Sequence, residues 1–191
     1  LGFWLDSKLT FDIHVSKLVS QGYHLLKNIA RIKSFLTTQQ LAILCNATLM
    51  SRVDYCNCLF FGMSKTNISK LQRLQNATAR LIYGRKKRDS VSDLLIQLHW
   101  LPIECRIYFK IILLMFKCLH SAAPVYLSNN VILLDSERMV VHMPHFSSIY
   151  GDRSFSHSGP RLWNNLPLTI RTITTIDSFK SRVKHYLFNS F

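Results

Sequence analysis

Apolar positions recur at helical spacing along most of this chain. Gly2 to Leu5 is a short apolar-aromatic stretch that reads as one strand, and Lys8 to Phe11 continues it or turns. From about Asp12 the period changes. Val15, Leu18, Val19, Leu26, Ile29 and Ile32 follow roughly 3.6-residue spacing, with Lys17, Lys27 and Arg31 largely on other faces, and Ser34 to Leu36 ends this first helix. Thr37 with Gln40 three residues on has the pattern of a capping box. It opens a second helix, striped by Leu41, Leu44, Cys45, Thr48 and Leu49, that runs to about Val53. Asp54 to Phe61 extends that helix or turns away, and Gly62 closes it.

Ser64 or Thr66 caps a third helix, with Ile68, Leu71, Leu74, Leu81 and Ile82 inward and Thr78 the polar exception. Gly84 ends it as a C-cap. Ser90 or Ser92 starts a short helix to Leu98. Pro102 then sits at a first-turn position before a central helix, 103–120, apolar on nearly every side. Pro124 begins another short helix. Residues 134–160 lose helical periodicity and read as a long loop, with a short hairpin around Met139 to Met143. Arg161 to Asn165 reads as one turn. Thr175 or Asp177 caps a last helix, with Phe179, Val183, Tyr186 and Leu187 inward. The expected class is mainly α: a helical bundle with a short N-terminal strand remnant, then a helical C-terminal region with a long irregular loop. The expected divisions are 1–11, 12–89 and 90–191.

Composition supports a folded chain. Apolar residues make up 48% of its 191 residues, enough to bury a core. The first residue is Leu1, no signal peptide is visible, and the chain reads as a fragment or an unusual gene model. No apolar run is long enough for a membrane span. Five cysteines, an odd count without a secretory signal, point to a reducing intracellular compartment. Charge adds more. The 24 Lys and Arg face 10 Asp and Glu, a net of +14. Residues 1–90 hold 14 basic and 4 acidic side chains, a net of +10, and residues 91–191 hold 10 and 6, a net of +4. Such an excess attracts polyanions, nucleic acid above all, with anionic membrane or plain solubility as the alternatives.

Candidate chemistry is sparse. Cys56 and Cys58 are one residue apart, closer than structural zinc favours, and no second cysteine pair exists; nothing in the sequence brings His142, His145 or His157 to them. There is no nucleophile elbow and no Gly-rich phosphate loop. Asp6, Asp12 and Asp54 stand singly and read as caps or partners of basic residues, so a stand-alone enzyme is not expected. The cations carry more. Lys70, Arg73 and Arg80 fall on roughly one side of the third helix, which leads into Arg85, Lys86, Lys87 and Arg88. That arrangement suits a phosphate backbone; a solvated face or a nuclear-localisation patch are the alternatives.

Six passages, in order along the chain, resemble the C-terminal portion of LINE-type, non-LTR retrotransposon reverse transcriptases. They are Leu1-Gly2-Phe3-Trp4-Leu5-Asp6 with Leu9-Thr10-Phe11 and His14; Ser51-Arg52-Val53-Asp54-Tyr55-Cys56-Asn57; Lys70-Leu71-Gln72 with Gln75-Asn76-Ala77 and Ala79-Arg80; Leu98-His99-Trp100-Leu101-Pro102 with Arg106; Tyr150-Gly151-Asp152-Arg153-Ser154-Phe155 with Pro160-Arg161-Leu162-Trp163-Asn164-Asn165-Leu166-Pro167; and Ser178-Phe179-Lys180. The resemblance implies a palm and primer-grip remnant at 1–11, a thumb-like bundle at 12–89 and a family-specific region at 90–191. It also implies that the metal-binding aspartates, with their magnesium, lie on a palm upstream. This chain would then be inactive alone and have no cofactor of its own. Its partners would be the template–primer duplex, gripped through shape, phosphates and hydroxyls, and the missing palm and fingers. The expected setting is an intracellular ribonucleoprotein, nuclear or cytoplasmic. The nucleic-acid contacts expected are Lys17, Lys27, Arg31, Lys70, Arg73, Arg80 and Arg85 to Arg88. Trp100, Trp163 and the Tyr150-Gly151-Asp152 turn read as packing and turn chemistry first. A noncatalytic helical interaction module, domesticated or decayed, is the competing expectation.

Overall fold

A computed structural model describes residues 2–190; Leu1, which opens the first family-like passage, and Phe191 lie outside them. The fold is mainly α. The chain divides into two compact units, Leu1–Glu104 and Cys105–Phe191. No helix among the described residues is long and apolar enough to cross a membrane.

The first unit is built on two long helices, α1 (Asp12–Ile32) and α4 (Lys65–Tyr83). Between them lie α2 (Thr38–Cys45) and the one-turn α3 (Ser51–Asp54). The short α5 (Ser92–Gln97) follows α4. Val15, Leu18 and Ile29 of α1 are buried with Leu71, Leu74 and Ile82 of α4, and Leu41 and Cys45 of α2 join the core. Cys45 sits so far from water that burial pushes its thiol up to about 11.

Local chemistry sets the ends of these helices. Thr37 Oγ1 accepts from Gln40 N at 3.2 Å while Gln40 Oε1 accepts from Thr37 N at 2.9 Å, closing the expected capping box. Ser64 Oγ accepts from Asn67 N at 3.3 Å. Gly84, at φ 65°, turns α4 back so that Arg85 N reaches Arg80 O at 2.9 Å, the long bond of a Schellman closure. The second helix departs from expectation. After α2 the backbone widens into a π turn, Asn46–Met50, before α3. Thr48 Oγ1 and Ser51 Oγ bond back to Leu44 O and Ala47 O, at 2.6 and 2.5 Å, beside the widened turn. Tyr55 and Cys56 then leave the helix, and Asn57–Phe60 forms a 3-10 turn.

Residues 2–11 contain no strand, so the expected N-terminal strand remnant is corrected. Among the described residues the first unit holds no strand for it to pair with. Instead the Asp6 carboxylate accepts from the backbone N–H groups of Lys8, Thr10 and Phe11 at 2.7–3.1 Å and folds the segment into a turn. Those bonds hold Asp6 below the usual carboxylate range. They also fix Phe11 in the left-handed region at φ 62°, just ahead of α1. Of the roles expected for Asp6, Asp12 and Asp54, Asp6 takes that of a cap on backbone N–H groups, and all three accept from amides. Asp12 Oδ1 takes Asn67 Nδ2 at 2.7 Å, tying the start of α1 to α4, and Asp54 Oδ1 takes Asn57 Nδ2 at 3.3 Å.

The second unit takes nearly all of its central helix, α6 (Ile103–Leu119), followed by α7 (Val125–Ser128). Strands β1 (Leu133–Asp135) and β2 (Val140–Val141) pair antiparallel, Leu133 opposite Val141, close to the expected hairpin. Residues 142–148 are irregular, as expected, but the rest of the expected loop is corrected: from Ile149 it is helical, as α8 (Ile149–Arg153) and α9 (Phe155–Asn164). Tyr150-Gly151-Asp152 is thus inside a helix, capped by Ser148 Oγ accepting from Gly151 N at 3.1 Å. Pro160 lies inside α9, where proline lacks a helical donor, and packing outweighs that cost. Ser158, Gly159, Pro160 and Trp163 are all buried, and a Cβ on Gly159 would stand 2.5 Å from Met115 Sδ of α6. Last come α10 (Leu168–Arg171) and α11 (Ile176–Asn189). The Phe179 ring stacks 4.2 Å from Phe116 and 5.6 Å from Trp163. Thr175 is the N-cap residue of α11 but makes no side-chain cap bond.

Candidate nucleic-acid interface

The packing of α1 on α4 determines which cations meet. Gly22 faces Leu74: a Cβ there would stand 2.4 Å from Leu74 Cδ2, so the two helices approach closely at this point. Beside that contact a cleft of about 750 Å³ opens between α1, α4 and the loop after Gly84. Tyr23 and Lys27 sit one turn apart on α1, with Leu26 and Ala30 beside them. Arg73 and Arg80 bracket Asn76 and Ala77 on α4, and Leu81 completes the apolar floor. Arg85 and Lys87 reach it from the loop. The lining thus holds five cationic side chains and no carboxylate. Lys27, Arg73, Arg85 and Lys87 make no ion pair among the described residues.

Arg80 has a different duty. Its Nε and Nη2 donate to Asp89 O at 3.2 and 2.9 Å. Asp89 in turn accepts from Lys86 N through Oδ2 at 2.9 Å and donates its own N–H to Lys86 O at 3.1 Å. The basic loop is therefore a closed turn tied to α4, and Arg80 positions Arg85 and Lys87 at the rim. Lys33, which the sequence reading did not single out, donates to Leu81 O at 2.7 Å. It satisfies a carbonyl at the negative end of α4.

A chain of amides orders the α4 side. Ile103 N donates to Gln72 Oε1 at 2.9 Å, which obliges Gln72 Nε2 to be the donor to Gln75 Oε1 and Asn76 Oδ1 at 2.9 and 2.8 Å. Gln75, wholly buried, donates to Leu101 O at 2.9 Å. Asn76 is left presenting an NH₂ group in the cleft wall.

Of the ten residues expected to contact nucleic acid, Lys27, Arg73, Arg80, Arg85 and Lys87 converge here. Arg31, Lys70, Lys86 and Arg88 do not line the cleft, though all four lie in the same unit. Lys17 is drawn elsewhere. Its Nζ lies 4.3 Å above the Trp4 ring, beside a smaller hollow of about 390 Å³ framed by Trp4, His14, Gln21, Arg52 and Tyr55. The sequence reading missed Tyr23 and Asn76. For Tyr23 the available signal was an aromatic on the polar side of an amphipathic helix, four residues before a lysine.

The second unit has a larger cleft, about 1010 Å³, but Arg182 is its one arginine and it has no lysine; hydroxyls such as Thr172, Thr174 and Ser178 make up much of its wall, with His185. Among the described residues no three His, Cys, Asp or Glu side chains come together as metal ligands. No family model matches the chain, and no curated protein or solved structure matches it either.

Proposed function

We propose that this chain is a noncatalytic nucleic-acid-gripping region, the thumb and post-thumb part of a non-LTR retrotransposon reverse transcriptase. What carries the reading is the gathering of Lys27, Arg73, Arg80, Arg85 and Lys87 from two helices and a loop into one cleft without a carboxylate. Opposed charges would be interspersed on a merely solvated face; here one sign is concentrated. The six family-like passages support the same reading from the sequence side. In it, Lys27, Arg73, Arg85 and Lys87 contact phosphates of an RNA–DNA duplex lying across the rim, and Arg80 holds the loop that brings two of them there. Polymer chemistry and its magnesium belong to a palm outside this chain. The setting is an intracellular ribonucleoprotein.

The test is binding of the purified chain to a blunt RNA–DNA hybrid across a salt series. Phosphate contacts predict affinity that falls linearly on a log–log plot against salt, with a slope of roughly −0.7 to −0.9 per contact. A triple change, Arg73→Glu, Arg85→Glu and Lys87→Glu, is expected to flatten that slope. Lys17→Glu, on the Trp4 ring, is expected to change it far less. Weak binding indifferent to the cleft variants would favour the competing module without a nucleic-acid role.

A further inference from the structure

Two features of the cleft are unexplained by a duplex lying on its rim. The first is its width. α1 and α4 touch at Gly22 and Leu74, and helices in contact have axes about 8–10 Å apart. A duplex is too broad to descend between them. The second is its floor. Leu26, Ala30, Ala77 and Leu81 are apolar, and Tyr23 beside them keeps 42% of its surface exposed. Phosphates gain nothing from such a surface. The exposed face of an unpaired base does, because stacking on an aromatic ring is available to every base. The volume, about 750 Å³, lies within the range of sites that hold small organic ligands.

We propose that the α1–α4 cleft receives an unpaired nucleotide of a nucleic-acid strand, its base against Tyr23 and the apolar floor and its phosphates among Lys27, Arg73, Arg85 and Lys87. The inference rests on the nucleic-acid reading above and adds the form of the ligand. Asn76 contributes directional chemistry: the amide chain from Ile103 N through Gln72 fixes its NH₂ as the group on offer. That group donates to an acceptor on the base edge or to a phosphate oxygen. The site is then selective for strand state, since a base inside a duplex has no free face to present.

The experiment uses the full chain and three labelled hybrids with the same duplex: blunt, with a three-nucleotide single-stranded extension, and with a three-unit abasic extension. The abasic extension adds the phosphates without the bases. The expected result is about tenfold tighter binding of the base-bearing extension than of the abasic one, the order that one stacked base supplies. Tyr23→Ala is expected to erase that difference and leave blunt-hybrid affinity within about twofold, whereas Tyr23→Phe retains it because the ring face does the work. Ala30→Leu, which fills the floor from an exposed helical position, is expected to abolish the difference too. Equal binding of the base-bearing and abasic extensions overturns the proposal. So does a Tyr23→Ala variant that weakens all three hybrids alike. The two readings fail separately. A blunt hybrid that does not bind, with an extension that does, removes the duplex grip and keeps the cleft. A salt-sensitive blunt hybrid that gains nothing from the bases does the reverse.

Discussion

The larger of the two main clefts lies in the second unit and the smaller in the first, yet the smaller is lined by five cations and the larger by one arginine and a histidine. The cores differ in a parallel way. The first unit buries amides beside its aromatic rings, with Gln75 and Asn67 wholly inside and bonded to backbone or side-chain oxygens. The second buries rings, with Trp163 and Phe179 wholly inside and stacked. Directional bonds fix register, and register is what places side chains from α1, α4 and the loop around one cleft. Ring packing holds the hairpin and helices of the 134–160 region in place without gathering charge. Cavity size alone says little about a polyanion site; convergence of one sign of charge says more.

The largest effect expected from breaking this contrast is at Trp163. Its ring fills the second core, and its Nε1 donates to Met139 O at 2.8 Å. The adjacent Asn164 brackets Val141, accepting from its N–H at 3.0 Å and donating to its carbonyl at 2.8 Å. Together they pin the hairpin to α9. Trp163→Ala should destabilise the second unit by about 3–5 kcal/mol, measured by denaturant unfolding followed by near-UV circular dichroism. Blunt-hybrid affinity should hardly change if the contrast is sound. An equal loss of affinity would show that the grip depends on the second core. Next in size is Gln75→Leu in the first unit, which deletes the buried bond to Leu101 O and should cost about 1–3 kcal/mol. It should also lower affinity, since the same amide chain orients Asn76. A stability loss with binding intact would separate register from recognition.

Much of this was legible locally. The Thr37–Gln40 box, the Ser64 cap and the Gly84 stop each depend on residues within one turn of the helix end they fix, and each stands where the sequence places it. The spacing of Arg73 and Arg80 put them on one side of α4. Which α1 cation would join them was not legible, because that depends on a long-range fact, the seating of Leu74 against Gly22. Lys17 and Lys27 look alike in sequence, yet one lies over Trp4 and the other enters the cleft. Arg80 could not be distinguished from Arg73 without the loop folding back to offer Asp89 O. In 149–160, Gly151, Gly159, Pro160 and the serines spell a loop by composition. Tertiary burial of Pro160 and Trp163 overrides that signal, so the helices there were hidden.

A smaller effect is expected where the loop is tied down. Arg80→Ala removes two donors to Asp89 O, a part-exposed contact that should cost about 0.5–1.5 kcal/mol in closing the 85–89 turn. Hydrogen exchange at residues 86–89 should quicken, and affinity for the blunt hybrid should fall although Arg80 is not assigned a phosphate. Arg80→Lys should restore the charge but not the pair of bonds, and so rescue only part of the affinity. Full rescue by lysine would make Arg80 a phosphate contact after all.

The smallest effect, and the most specific to the first unit, is a pH dependence from His14. Its ring is buried 4.1 Å from Phe3 and 5.6 Å from Phe60, and Nδ1 accepts from Trp4 N at 3.4 Å. Burial holds its pKa below the usual 6.5. Lys17 over Trp4 and Arg52 at the same hollow add like charge nearby. A proton on Nδ1 would also set two donors against each other. The folded state thus binds the proton less readily than the unfolded chain. Stability is complete above about pH 6.5 and declines as pH falls from there toward the folded pKa. Asp6 acts in a separate window, since its lowered carboxyl adds stability that is present above its ordinary 3.8 and lost only in stronger acid. Unfolding free energies at pH 7.5 and 5.5 should therefore differ in the wild type and differ less in His14→Phe, which keeps a ring but cannot titrate. An unchanged difference in that variant would move the pH sensitivity to the other histidines and leave the aromatic corner around Phe3 indifferent to protons.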